Sequence, residues 1–130
     1  MGRVTSGHPA ITVFQLPPNG TLDAFRVVKA DPPSEDDFRS HYELGKPPRR
    51  HEREWAVMYM GLSMFREPDQ AAWVARRWSA IGDHVAHLRL EPDRGINLAS
   101  TGKIPGHYSV WGSPDQLLAC VVDTVSVEEV

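Results

Sequence analysis

Four side chains of this sequence combine a reactive type with a suggestive setting: Arg26, Ser63, His107 and Tyr108. Arg26 interrupts the apolar run Phe25-Arg26-Val27-Val28, and period-two geometry places it on the side of Ala24, Val28 and Ala30. A guanidinium on such a face needs an anionic partner, and two readings stay open. One is an internal salt bridge to Asp23 or Glu43; the other is a ligand phosphate. Ser63 stands in Gly61-Leu62-Ser63-Met64-Phe65, at the end of a strand and just before a helix. It reads either as a satisfied polar residue or as a hydroxyl facing a cleft. The segment Gly102-Lys103-Ile104-Pro105-Gly106 forms a loop that delivers His107 and Tyr108 to a strand start. An imidazole there can act as acid or base near neutral pH; a packing histidine is the plain alternative. Arg49 and Arg50, with His51 and Arg53, make a basic loop able to hold a phosphate, although Glu52 and Glu54 dilute its charge.

Metal and thiol chemistry find little footing. His84 and His87 are three apart in a segment that alternates like a strand, so they are expected to point to opposite faces. No third ligand stands near them at a diagnostic spacing, and no metal site is expected. Zinc-protease, P-loop and dinucleotide-glycine motifs are absent. Cys120 is the only cysteine and lies in the apolar run Leu117-Leu118-Ala119-Cys120-Val121-Val122, as a buried thiol would.

The elements that must position these residues follow from periodicity and punctuation. Ala10 to Leu16 is apolar and β-branched, Pro17-Pro18-Asn19-Gly20 turns the chain, and Leu22 to Ala30 reads as a second strand; the two are candidates for a hairpin. Ser34, followed by three acidic residues, is a helix N-cap, and Gly45 is a plausible stop. Trp55 to Phe65 favours a strand toward its end. Pro68 opens a helix whose apolar stripe is Ala71, Val74, Ala75 and Trp78, with Trp73 off it and Gly82 at its end. Strands over His84 to Leu90, Ile96 to Ala99 and Tyr108 to Trp111 precede a capping box at Ser113-Pro114-Asp115-Gln116, a short helix and a last strand near Cys120 to Val127. Strands and helices mixed without regular alternation predict an α+β fold. The expected architecture is a single domain with a mixed or split, mostly antiparallel sheet and two to three short helices. Residues 1–20 read as an N-terminal arm or extra strand, and 21–130 as the domain itself.

A chain of 130 residues with net charge −3 fits one globular domain and argues against a general nucleic-acid binder. No apolar stretch approaches the roughly 20 residues that cross a bilayer, and Met1 to Pro9 has no apolar signal core. A cytoplasmic location without a membrane partner is therefore expected.

The order of these elements carries a resemblance. An Arg in the first core strand is followed by a strand ending in Ser and directly by a helix with Ala71-Ala72-Trp73-Val74-Ala75; a strand, and then a last strand before a short closing helix, come after it. This resembles the ADP-ribosyltransferase-like fold, in which such a split sheet clasps NAD. The stretches Phe25-Arg26-Val27-Val28-Lys29-Ala30-Asp31-Pro32-Pro33 and Gly106-His107-Tyr108-Ser109-Val110-Trp111-Gly112 are also similar to small bacterial proteins of this general form. The resemblance covers about residues 24–127. It implies that Arg26 stands at the family's NAD-contacting first-strand position and Ser63 in the second-strand region that supports the nicotinamide side. It places His107 near the family's catalytic Glu, whose negative charge stabilises an oxocarbenium-like transition state and which an imidazole does not replace. The Ser-Thr-Ser pattern is absent, and no Glu-x-Glu stands near His107.

Three functions compete. The first is NAD-type nucleotide binding with altered or absent transferase activity; Arg26, Arg49 and Arg50 would hold phosphates, His107 would act on the ribose or leaving group, and Tyr108 and Ser63 would line the pocket. The second is a non-catalytic protein-interaction or regulatory module, for which an exposed cluster containing Trp73 would speak. The third is a small metal-independent RNase built on His107, which the acidic net charge disfavours. Whether the chain is an enzyme stays open at this level.

Overall fold

The computed structural model describes residues 20–50, 60–91, 95–101 and 104–130, together with the strands Gly2–Val4 and Ile11–Phe14. Its strands are β1 (Gly2–Val4), β2 (Ile11–Phe14), β3 (Leu22–Val28), β4 (Leu62–Phe65), β5 (His84–Leu90), β6 (Asn97–Ser100), β7 (His107–Trp111) and β8 (Val121–Ser126). They form one sheet in the order β1-β2-β6-β7-β4-β3-β5-β8, with every neighbouring pair antiparallel. With the helices α1 (Pro68–Arg77) and α2 (Pro114–Ala119) and short 3₁₀ turns, the protein is a small single-domain α+β fold.

The sheet is buried on both faces by different means. On one face Ala24, Val28, Met64, Leu88, Leu90, Leu98 and Val110 pack against Phe38 of the 3₁₀ turn Glu35–Phe38 and against Leu117 of α2. Each such fully buried large side chain contributes about 1.5–3 kcal/mol over an exposed one. On the other face Val27, Phe65 and Val85 meet Ala71, Ala72 and Ala75 of α1. Alanines at the contact let this helix approach the sheet closely.

The sheet is split in its middle. β3 pairs with β5 along its whole length, but meets β4 at the single pair Phe25–Phe65. Because β3 is flanked on both sides, β2 has no edge of it to join; the hairpin expected between them does not form, and β2 pairs with β6 instead.

Two helices end earlier than their sequence punctuation suggests. The helix expected from Ser34 to Gly45 is a single 3₁₀ turn, closed when Arg39 adopts extended backbone and its N–H bonds the Asp36 carbonyl. The Asp37 carboxylate accepts the N–H groups of Lys29 (2.7 Å) and Ser34 (3.1 Å), which ties the turn back to the end of β3. Helix α1 stops at Arg77 rather than running to Gly82, because Trp78 leaves helical geometry at φ −129° and ψ 75°. Trp78, placed by periodicity on the apolar stripe, is therefore 53% exposed. Cys120 is buried, as its apolar surroundings predict.

Among the described residues no helix is long and apolar enough to cross a membrane. His51 and Arg53 of the basic loop, the apolar start at Trp55 and the loop residues Gly102 and Lys103 lie outside the described residues.

Candidate functional site

Cross-strand pairing builds a row across one face of the sheet. His87 of β5 stands opposite Phe25 of β3, Phe25 opposite Phe65 of β4, and Phe65 opposite His107 of β7. Directly opposed residues share a face. The His87 ring stacks on Phe25 with centroids 4.7 Å apart, and the His107 ring meets Phe65 edge-on at 5.3 Å. Three strand spacings of about 4.8 Å separate the two imidazoles. Each anchors a polar cluster of its own.

His107 carries the more organised one. Its Nδ1 lies 3.0 Å from the Thr101 carbonyl oxygen, and its Nε2 lies 3.1 Å from Ser63 Oγ. A carbonyl can only accept, so Nδ1 donates and the neutral ring presents the Nε2 lone pair to the Ser63 hydroxyl. Thr101 Oγ1 also sits 3.0 Å from Nδ1 and 2.9 Å from Ser109 Oγ, and both hydroxyl residues are buried. Ser63 itself is exposed.

The local sequence explains why His107 sits where it does. Gly106, at φ +83°, turns the chain into β7, and its carbonyl accepts the N–H of Arg66 at 2.8 Å. A Cβ there would stand 2.8 Å from Gln70 Oε1, so the loop lies against the first turn of α1. Gln70 Nε2 then donates to the Pro105 carbonyl at 2.6 Å.

Arg26 occupies the split between β3 and β4. Its Nε donates to the Asp37 carbonyl at 2.8 Å, and its Nη1 to the Ser63 carbonyl at 2.9 Å. Neither expected carboxylate reaches it. Asp23 bonds His87, and Glu43 accepts the Ser40 N–H. Among the described residues no carboxylate oxygen lies within 4.0 Å of the guanidinium. Nη2 makes no hydrogen bond among the described residues. Burial pushes the guanidinium down to about 10, against the opposing pull of Asp37, which leaves it a cation at neutral pH.

Thus Ser63 and His107 are brought together on the face of Phe65, whereas Arg26, on the opposite face with Ala24 and Val28, reaches only the main-chain carbonyl of Ser63. Tyr108 is not brought to the Ser63 hydroxyl and His107. Alternation along β7 turns it to the opposite face, where it is buried in the larger core beside Met64 and Leu98. Its expected place lining a pocket with Ser63 and His107 is corrected accordingly. Arg49 and Arg50 are exposed, next to residues 51–59. Thr101 was invisible as an orienter, because it stands six positions before His107 and only the β6–β7 pairing joins them.

The second cluster sits at the other end of the row. His87 Nε2 lies 2.8 Å from Asp23 Oδ1, Arg89 Nε lies 3.5 Å from the same oxygen, and Asp23, Phe25, Arg66 and Glu67 help to line an open cleft of about 450 Å³. His84 and His87 alternate to opposite faces, as expected, and among the described residues no group of three metal-ligating side chains converges. The His87 hydrogen bond, aided by the charges of His87 and Arg89, holds the Asp23 carboxyl below its ordinary 3.8 in spite of partial desolvation. A depressed carboxyl stabilises the fold above its unfolded value and loses that contribution as pH falls through the folded value. Asp23→Asn is therefore expected to flatten the loss of stability below pH 3.8, modestly because the pair is half exposed. Thermal unfolding from pH 6 to 2.5 checks this, and parallel curves for the two proteins would refute it.

Compared with known proteins, the chain matches no family model, and neither a curated protein nor a solved structure shows significant similarity to it.

Proposed function

We propose that the protein binds an NAD-type nucleotide at the split of its sheet, with Arg26 as the phosphate anchor. The observation that carries this reading is the half-buried Arg26 guanidinium, which bonds two carbonyls and, among the described residues, no carboxylate. Two of its five N–H donors are used, so donors remain for an anionic oxygen. A desolvated cation gains more from a phosphate than an exposed one does, and the planar fork suits bidentate contact. The resemblance to the ADP-ribosyltransferase-like fold adds support, since two of the positions it singles out, Ser63 and His107, are hydrogen-bonded and the third, Arg26, bonds the Ser63 main chain from the other face of the sheet. His107 brings no carboxylate to the ribose, so the reading is nucleotide binding with altered or absent transfer.

Calorimetric titration of NAD, ADP-ribose and adenosine tests it. Saturable heat with NAD and ADP-ribose but not adenosine is expected. Arg26→Gln, confirmed folded by near-UV circular dichroism, should weaken binding by about 10- to 100-fold, the worth of one charge-assisted hydrogen bond. No heat from the folded wild-type protein would overturn the proposal.

A second reading, a protein-interaction module, has its own observation. Trp73 of α1 and Trp78, just after it, are each 53% exposed, and the Arg77 guanidinium lies 5.7 Å and 5.3 Å from their ring centroids. Tryptophan and arginine dominate binding hot spots. Silence in the nucleotide titrations would shift weight to this surface.

A further inference from the structure

We infer that Ser63 is a nucleophile activated by His107, competent to take an acyl group from a small carboxylic ester. This goes beyond nucleotide binding and stands without it. Three features of the geometry carry it. The Thr101 carbonyl fixes the proton on Nδ1, so Nε2 is the acceptor facing Ser63 Oγ at 3.1 Å, within the reach required of a general base. The ring is held further by the edge contact with Phe65, and Thr101 Oγ1 also lies 3.0 Å from Nδ1. The Ser63 hydroxyl is exposed, so an electrophile can approach it. A nucleophile, a base and a group that orients the base are the recurring elements of acyl transfer, and a backbone carbonyl here fills the orienting role. All three are carried by paired strands or the residue directly following one, so the arrangement is set before substrate arrives.

The chemistry balances. Ser63 Oγ forms a bond to the ester carbonyl carbon as its proton passes to His107 Nε2. The tetrahedral adduct collapses, the ester C–O bond breaks, and the leaving alkoxide takes the proton from Nε2. Water then attacks the acyl-Ser63 ester by the same relay and releases the acid.

The test uses the full chain and two probes. A fluorophosphonate traps the first step, since Oγ displaces fluoride and leaves a stable phosphonyl-serine; p-nitrophenyl acetate reports turnover through released nitrophenolate. Mass spectrometry is expected to find the phosphonyl group on Ser63. Ser63→Ala should abolish labelling, and His107→Gln should slow it at least about 100-fold, the lower end of general-base catalysis. His107→Gly with added imidazole should recover part of the rate, which separates loss of the base from loss of the fold. An unlabelled wild-type protein, a label on another residue, or His107→Gln reacting at the wild-type rate would each overturn the inference.

Discussion

Alanine in place of Arg26 is expected to lower the unfolding free energy by about 3 kcal/mol, the scale of two hydrogen bonds from a charged donor. The reason is the split in the sheet. Beyond the Phe25–Phe65 pair, β3 and β4 share no further register pair, and Arg26 Nη1 takes the Ser63 carbonyl. Its Nε holds the Asp37 carbonyl, and so connects the Glu35–Phe38 turn, with Phe38 fully buried, to the middle of the sheet. Truncation opens a hole and strips both carbonyls. Methionine separates the two contributions. Arg26→Met keeps most of the stem's packing and removes the desolvation cost that burial imposes on the guanidinium. It should therefore be less destabilising than Arg26→Ala, by about 1 kcal/mol or more. Chemical denaturation of the three proteins checks the order. An alanine variant within experimental error of wild type would mean that water satisfies both carbonyls, and that Arg26 is dispensable for folding.

Gly82→Ala should cost a similar amount, about 3 kcal/mol, through backbone strain and a clash that cannot relax. Gly82 turns the chain from α1 into β5 at φ +147°. A Cβ there would stand 2.3 Å from the Val28 carbonyl oxygen and 2.7 Å from its carbon. Both are backbone atoms at the end of β3, where Val28 pairs with His84. Either the turn or the first rung of the β3–β5 ladder must give. Gly45 supplies the control. It also has positive φ, +70°, but a Cβ there would meet nothing within 4 Å; Gly45→Ala should cost only the conformational penalty, about 1 kcal/mol. Chemical denaturation of both variants checks the difference, and equal losses would remove the steric argument.

The candidate site was legible in part. Arg26 announced itself as a charge inside an apolar strand, and its face was readable from alternation alone. What it touches was not. The sequence offered Asp23 and Glu43 as partners, yet both carboxylates are engaged elsewhere and the guanidinium meets two main-chain carbonyls. No side-chain type signals a free carbonyl, so only the position of the split reveals it. Ser63 and His107 were each visible as residues at strand ends, but 44 positions apart, and their hydrogen bond depends on β4 pairing with β7 rather than with β5. Tyr108, adjacent to His107 in sequence, faces away from it, because a strand turns consecutive side chains to opposite faces. Trp78 left the apolar stripe when α1 ended one residue before it.

By itself, then, the sequence determined the α+β class, the position and type of most strands, the proline-started helices and the burial of Cys120. These follow from local quantities: alternation, capping residues and the fixed φ of proline. The tertiary structure decided which strands are neighbours, where the sheet splits and which hydroxyl meets which imidazole. Those are contacts between distant segments, chosen by burying both faces of the sheet at once, and no local preference along the chain encodes them.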